Sequence, residues 1–200
     1  TWGFNQMART ITLNICHLYP DLMDTYGDKG NIITLVKRCQ WRGIKTNLFS
    51  DSISDKLDPE KYDIYFFGGG QDRQQIIVGK DLQKKAKSLK KAIDQRSTLL
   101  SICGGYQLLQ NYFKTLDGTM IKGIGLFDAY TQGSTTRMIQ NLWIKLNSNL
   151  QSEIKEIYPS TVNGQRSTVL IGFENHSGKT YIGVDVKPLG RVVKGAGNNG

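Results

Sequence analysis

Residues Leu99 to Gln107 read Leu-Leu-Ser-Ile-Cys-Gly-Gly-Tyr-Gln, an apolar run that ends at a cysteine and passes through two glycines into a helix-compatible stretch. A strand that turns this sharply into a helix crowds its own backbone, which is why small residues stand beside the turn. The turn lifts one side chain above the sheet, so the pattern is that of a nucleophile elbow with Cys103 at its tip. Cys103 also precedes the predicted helix, where the backbone dipole favours the thiolate over the thiol.

The first half of the chain alternates in the way such a turn requires. Ile11 to Leu18 is mostly apolar and predicts a strand. Ile32, Ile33, Leu35, Val36 and Cys39 recur at helical spacing within Asp28 to Arg42, and Gly43 follows as a stop. Strands are predicted over Ile44 to Phe49 and Tyr62 to Phe67, the second running into Gly68, Gly69 and Gly70. A helical pattern from Gln71 to about Gln95 then leads to the strand Thr98 to Ile102. This order predicts an α/β fold, a mostly parallel sheet flanked by helices, with functional loops at the carboxyl ends of its strands. Gly68–Gly70 and Cys103 both occupy such ends, so the fold predicts that they are neighbours.

Past Gly118 the pattern changes to short strands and turns. The best strand candidates are Met138 to Leu146, Val169 to Phe173 and Lys179 to Ile182, which suggest an antiparallel extension with a polar loop over Asn147 to Ser167. No repeat or linker composition divides the chain, so residues 1–200 read as one domain, with Thr1 to Gln6 as a frayed end or an appended remnant.

The net charge of +9 raises the question of nucleic acid. Lys80, Lys84, Lys85, Lys87, Lys90 and Lys91, however, fall in one predicted helix with Asp81 and Asp94, and no aromatic residues are interleaved for base stacking. They read as a solvated helix face, or as a docking surface for an acidic partner or an anionic membrane. Three cysteines without CxxC spacing indicate neither a disulfide framework nor a zinc site. No apolar run reaches the roughly 18 to 20 residues of a membrane helix, and a cytoplasmic protein is expected.

A cysteine that attacks an amide passes through a tetrahedral oxyanion, which N–H donors must meet. The backbone N–H of Gly104 is one candidate donor and an N–H from the loop of Gly69, Gly70 and Gln71 the other, because glycine permits peptide orientations that a side chain obstructs. Alone, three glycines make an ordinary strand-to-helix connection. Beside the elbow they read as an oxyanion hole.

Four ordered motifs, Tyr26-Gly-Asp-Lys-Gly-Asn31, Phe67-Gly-Gly-Gly-Gln-Asp72, Ser101-Ile-Cys-Gly-Gly-Tyr-Gln107 and Gly172-Phe-Glu-Asn-His-Ser-Gly-Lys-Thr180, together resemble the cobyric-acid-synthase-type class I glutamine amidotransferases. Within that family the resemblance is greatest to glutaminase subunits that work with a Mur-ligase-like partner. It runs from about residue 9 to the last residue. It implies a flavodoxin-like fold, hydrolysis of glutamine to glutamate and ammonia, and a heterodimer with the partner, MurT. That partner would use ATP and Mg to activate the D-glutamate carboxylate of lipid II at the inner face of the membrane. No cofactor or metal is expected in this chain.

The resemblance places the nucleophile on Cys103, the oxyanion loop on Gly68–Gly70, and a glutamine-binding arginine on Arg137 in Tyr130-Thr-Gln-Gly-Ser-Thr-Thr-Arg137. A guanidinium suits that role, since it grips an α-carboxylate through two parallel hydrogen bonds. Gln107, one helical turn after the nucleophile, either contacts bound glutamine or buttresses the elbow.

Such a hydrolase needs a base. Chemistry alone allows either of the two histidines, His17 or His176. The resemblance implies another, in a Tyr-Leu-His-Gly-Pro motif downstream of Gly200, and an orienting aspartate from the partner. His176 and Glu174 then read as structural or supporting residues, and His17 as a satisfied strand-end residue. Competing readings are a cobyrinic-acid-type amidotransferase, a DJ-1-like redox or chaperone protein that oxidises Cys103, and a noncatalytic scaffold subunit. No P-loop GxxxxGK[ST] supports a synthetase on this chain.

Overall fold

The computed structural model describes residues 11–157 and 168–199; the expected frayed end at Thr1–Gln6 lies outside them. The chain groups into two compact units, one of residues 1–109 with 121–126, the other of 110–120 with 127–200. The chain passes between them three times. No single linker exists for composition to reveal, and the sequence alone reads as one domain.

The first unit follows the predicted alternation. Strands β1 (Thr12–Leu18), β2 (Lys45–Asp51), β3 (Ile64–Phe67) and β4 (Thr98–Ser101) interleave with helices α1 (Lys29–Gln40), α2 (Asp72–Asp94) and α3 (Gly104–Leu109). The sheet runs β2-β1-β3-β4, and every pair in it is parallel. That is the start of a flavodoxin-like order, in which ligands bind beyond the carboxyl ends of the strands. The register pairs Leu18 with both Asp51 and Phe67, and Phe67 with Ser101, so all four strands end on one edge.

Alternation along the strands divides the core between two faces. Ile15 and Phe66 pack against Ile32, Leu35 and Val36 of α1. On the other face the Tyr19 ring lies 5.7 Å from that of Phe67, and its hydroxyl donates to Asp81 of α2 at 3.0 Å. Helix α2 buries Val78, Leu82, Lys85, Leu89 and Ala92, spaced by three and four residues, which is one stripe of a 3.6-residue helix.

Lys85 corrects the sequence-based reading of the α2 lysines as a solvated face. Its ammonium is buried between Asp81, at 3.1 Å, and Asp51 at the end of β2, and it also donates to the Ser52 carbonyl. Two carboxylates supplied by different elements are what permit a lysine there.

The second unit holds two sheets. One is the run β10-β7-β5, with β5 (Tyr112–Lys114), β7 (Ala129–Gln132) and β10 (Lys179–Ile182), while the short β6 (Met120–Lys122) is divided between the residue ranges of the two units. The other has the order β11-β8-β9, with β8 (Met138–Leu146), β9 (Val169–His176) and β11 (Gly190–Lys194). The expected antiparallel extension holds for β10–β7, β8–β9 and β11–β8, but β5 and β7 are parallel. The expected polar loop from Asn147 is instead the start of helix α4 (Ser148–Ile157), because the Asn147 side chain accepts from Leu150 N–H at 3.0 Å and caps the first turn. The rest of that loop, 158–167, lies outside the described residues.

Candidate active site

Strands β3 and β4 are neighbours in the sheet and end together, which brings the glycine loop and the cysteine turn side by side. Ile102 N–H donates to the Phe67 carbonyl at 2.8 Å, and Gly105 N–H to the Gly68 carbonyl at 3.0 Å. Between these contacts Cys103 takes φ +50°, a left-handed conformation that L-residues other than glycine rarely adopt. This is the backbone turn expected of an elbow.

The glycines stand where side chains do not fit. A Cβ on Gly105 would lie 2.7 Å from the carbonyl oxygens of both Phe67 and Gly68. On Gly104 it would lie 2.9 Å from the Gly70 oxygen, and on Gly69, 3.1 Å from Cys103 Cβ and 2.9 Å from the Tyr26 ring. Tyr26 and the buried Asp28 belong to the Tyr-Gly-Asp-Lys-Gly-Asn motif, which therefore packs against the glycine loop.

Three tethers orient the loop. The carbonyls of Gly68, Gly69 and Gly70 accept from Gly105 N, Thr25 N and Gln75 Nε2 at 3.0, 3.2 and 3.0 Å. No peptide bond here is cis, and a trans peptide points its N–H opposite to its C=O. The N–H groups of Gly69, Gly70 and Gln71 thus point opposite to these tethered carbonyls.

Gln75 is the residue that sequence reasoning missed. It is buried on the first turn of α2, and its Nε2 also donates to Gln107 Oε1 at 3.0 Å. A lone glutamine in a polar helix start carries no signal of such a bridge. The bond holds the side-chain oxygen of Gln107 to Gln75.

The Cys103 thiol is pushed above the ordinary cysteine range. The residue is exposed, but partial desolvation of its sulfur by the surrounding turn is the main cause; the Asp28 and Asp72 carboxylates add to it, and the Gly104 N–H opposes it. This corrects the expectation of a helix-stabilised thiolate: α3 has only six residues, and its first N–H does not outweigh desolvation. Among the other thiols, Cys16 is pushed up to about 12, by burial first and by Asp51 second.

His17 is buried on β1, edge-on to Phe66 at 5.2 Å between ring centroids, and burial lowers its pKa against the pull of Asp24 and Asp28. Its Nε2 has no hydrogen-bond partner among the described residues, contrary to the expectation of a satisfied strand-end residue.

The remaining candidates lie in the second unit. Arg137 is exposed, and its Nε donates to Asn175 at 3.0 Å, using one of the five donors on the guanidinium. Glu174 is buried on β9 and accepts the backbone N–H groups of Ala196 and Gly197, both at 2.7 Å. Burial opposes its charge, but those two N–H groups, with Gln140 and His176, hold its carboxyl below the usual range. His176 is occupied at Nδ1 by the Gly178 carbonyl, at 3.0 Å, and has Nε2 3.6 Å from Glu174. Glu174 thereby clasps the turn at Gly197–Asn199.

Residues 14–200 match the CobB/CobQ-like glutamine amidotransferase domain. The chain is 40% identical over 187 residues to a Streptococcus pneumoniae protein named lipid II isoglutaminyl synthase (glutamine-hydrolyzing) subunit GatD, covering 94% of this chain and 66% of that one. A Staphylococcus aureus protein of the same name is 36% identical over 187 residues, covering 94% of this chain and 69% of that one. The chain thus spans about two thirds of the length of these relatives. A probable cobyric acid synthase from Methanosphaera stadtmanae is 32% identical over 117 residues, 54% of this chain and 21% of that one.

Proposed function

The chain belongs to the CobB/CobQ-like glutamine amidotransferase family, and from that premise we propose that it is the glutamine-hydrolysing subunit of a lipid II isoglutaminyl synthase. The observation that carries the reading is the left-handed Cys103, at φ +50°, whose turn is tied to the glycine loop by the Gly105 N–H bond to the Gly68 carbonyl.

Hydrolysis at such a site takes two stages. The Cys103 thiol gives its proton to a base, and Sγ attacks the side-chain carboxamide carbon of glutamine. The carbonyl electrons move onto oxygen, where the N–H groups of Gly104 and of the Gly69–Gly70 loop receive the charge. The C–N bond then breaks, the proton returns to nitrogen, and ammonia leaves behind a glutamyl thioester. Water attacks the thioester, releasing glutamate and the thiol.

Arg137 is assigned the substrate α-carboxylate, on the strength of the resemblance and of guanidinium geometry. Gln107 is assigned to support of the elbow, because Gln75 occupies its oxygen. A raised thiol pKa makes an external base necessary. His17 is buried and edge-on to Phe66, and His176 is engaged at Nδ1 with Glu174 beside Nε2. The base is therefore assigned outside the described residues.

The ammonia is assigned to a Mur-ligase-like partner, MurT, which would hold ATP and Mg and amidate the D-glutamate of lipid II. The relatives' name, a subunit of a synthase, supports this. Labelling with a glutamine-mimicking electrophile tests the site: modification at Cys103, blocked by excess glutamine, is expected, and modification without glutamine protection contradicts it.

A further inference from the structure

We infer that the outer face of the β11-β8-β9 sheet is the docking surface for the synthetase subunit, taken to be a protein with an apolar centre and an acidic rim. The inference rests on the amidotransferase reading for the partner's identity and on the sheet itself for the surface.

The register pairs Ile139 with Asn175, Asn141 with Phe173, Trp143 with Ile171 and Lys145 with Val169, so these side chains share one face. On it Ile171 is 73%, Phe173 63% and Ile139 57% exposed. On the opposite face Met138, Leu146 and Glu174 are buried, while Leu170 is 45% exposed. A strand with apolar residues on both sides suits cover on both, and a contiguous exposed patch of this kind marks an interaction site.

Charge selects the occupant. Arg191 pairs beside Lys145, and Lys194 lies with its ammonium 5.2 Å from the Trp143 ring centroid. These strands place no Asp or Glu on the face. A second copy of the chain would set the cations against their own counterparts. Segments 1–10 and 158–167, outside the described residues, contain no Asp or Glu either. A bilayer takes up an amphipathic helix more readily than a flat sheet face on which Asn141 and Asn175 stand among the apolar residues. An apolar centre with aromatic residues and a charged rim is the make-up of a protein interface.

The test measures the affinity of the full-length chain for the purified full-length synthetase subunit. Phe173→Asp and Ile171→Asp are expected to weaken binding by about thirtyfold or more, the loss typical of residues at an interface centre. Arg191→Glu is expected to weaken it about tenfold and to flatten its salt dependence. Trp41→Ser, at an aromatic residue 75% exposed on the first unit, is the control and leaves affinity unchanged. Unchanged affinity in the sheet variants overturns the inference. So does a drop in melting temperature, which would mean that the chain itself covers the face, or a loss of vesicle binding or self-association in place of subunit binding. Glutamine-protected labelling of Cys103 is measured on the same proteins. Protection without subunit binding removes the docking surface and leaves the glutaminase reading standing, whereas loss of both in the unsubstituted protein removes both.

Discussion

Gln75 Nε2 donates to the Gly70 carbonyl at 3.0 Å and thereby fixes the peptide whose N–H, that of Gln71, faces the opposite way. The same nitrogen reaches Gln107 on α3, so one side chain joins the glycine loop to the helix behind the nucleophile. Gln75→Leu keeps the bulk and removes the tether. Its kcat for ammonia release is expected to fall about ten- to a hundredfold, the cost of small misplacements of catalytic groups, with KM little changed. Steady-state kinetics on glutamine decide it.

Gly105→Ala forces a Cβ to within 2.7 Å of two backbone carbonyl oxygens. The expected loss of stability is about 1–3 kcal/mol, as for other overpacked sites. Gly172→Ala, with nothing within 4 Å of its Cβ, is the contrast and is expected to be neutral. Urea unfolding midpoints at constant slope report both.

Lys85→Met leaves Asp51 and Asp81 buried without their cation. Breaking one side of a buried ion cluster typically costs about 3–5 kcal/mol. Lys91, whose partner Glu60 is exposed, is expected to tolerate the same change with little effect. Comparison of the two unfolding curves separates the buried lysine from the solvated ones.

Glu174 carries a pH signature. Its folded pKa lies below the unfolded one, so the folded state holds fewer protons and the stabilisation is present above the unfolded pKa. It is lost as pH falls through the folded pKa. Protection of the Ala196 and Gly197 amides, whose N–H groups bind this carboxylate, is expected to fall on acidification once exchange is referred to the intrinsic rate at each pH. Glu174→Gln should show weaker protection at neutral pH and no acid step.

The parallel half of the fold was legible because each strand was apolar and each helix periodic; β1, β3 and β4 fall within the expected ranges, and β2 runs two residues past its expected end. Strands of three residues, such as β5 and β6, carry too little pattern to be seen, and α4 was hidden because its cap is a single asparagine among polar residues. At the site, the closeness of Cys103 and the glycine loop followed from strand order alone. Lys85 was misread because a lysine takes its environment from distant partners, here Asp51, thirty-four positions away. The upward shift of the Cys103 thiol was not legible because desolvation of its sulfur, which outweighs the Gly104 N–H, comes from the neighbouring turn and not from the motif.

Ammonia release from glutamine by the assembled complex carrying Cys103→Ala is the most direct measurement. No turnover above background is expected, with glutamine binding retained. Turnover comparable to that of the unsubstituted complex would remove Cys103 from the mechanism and contradict the account.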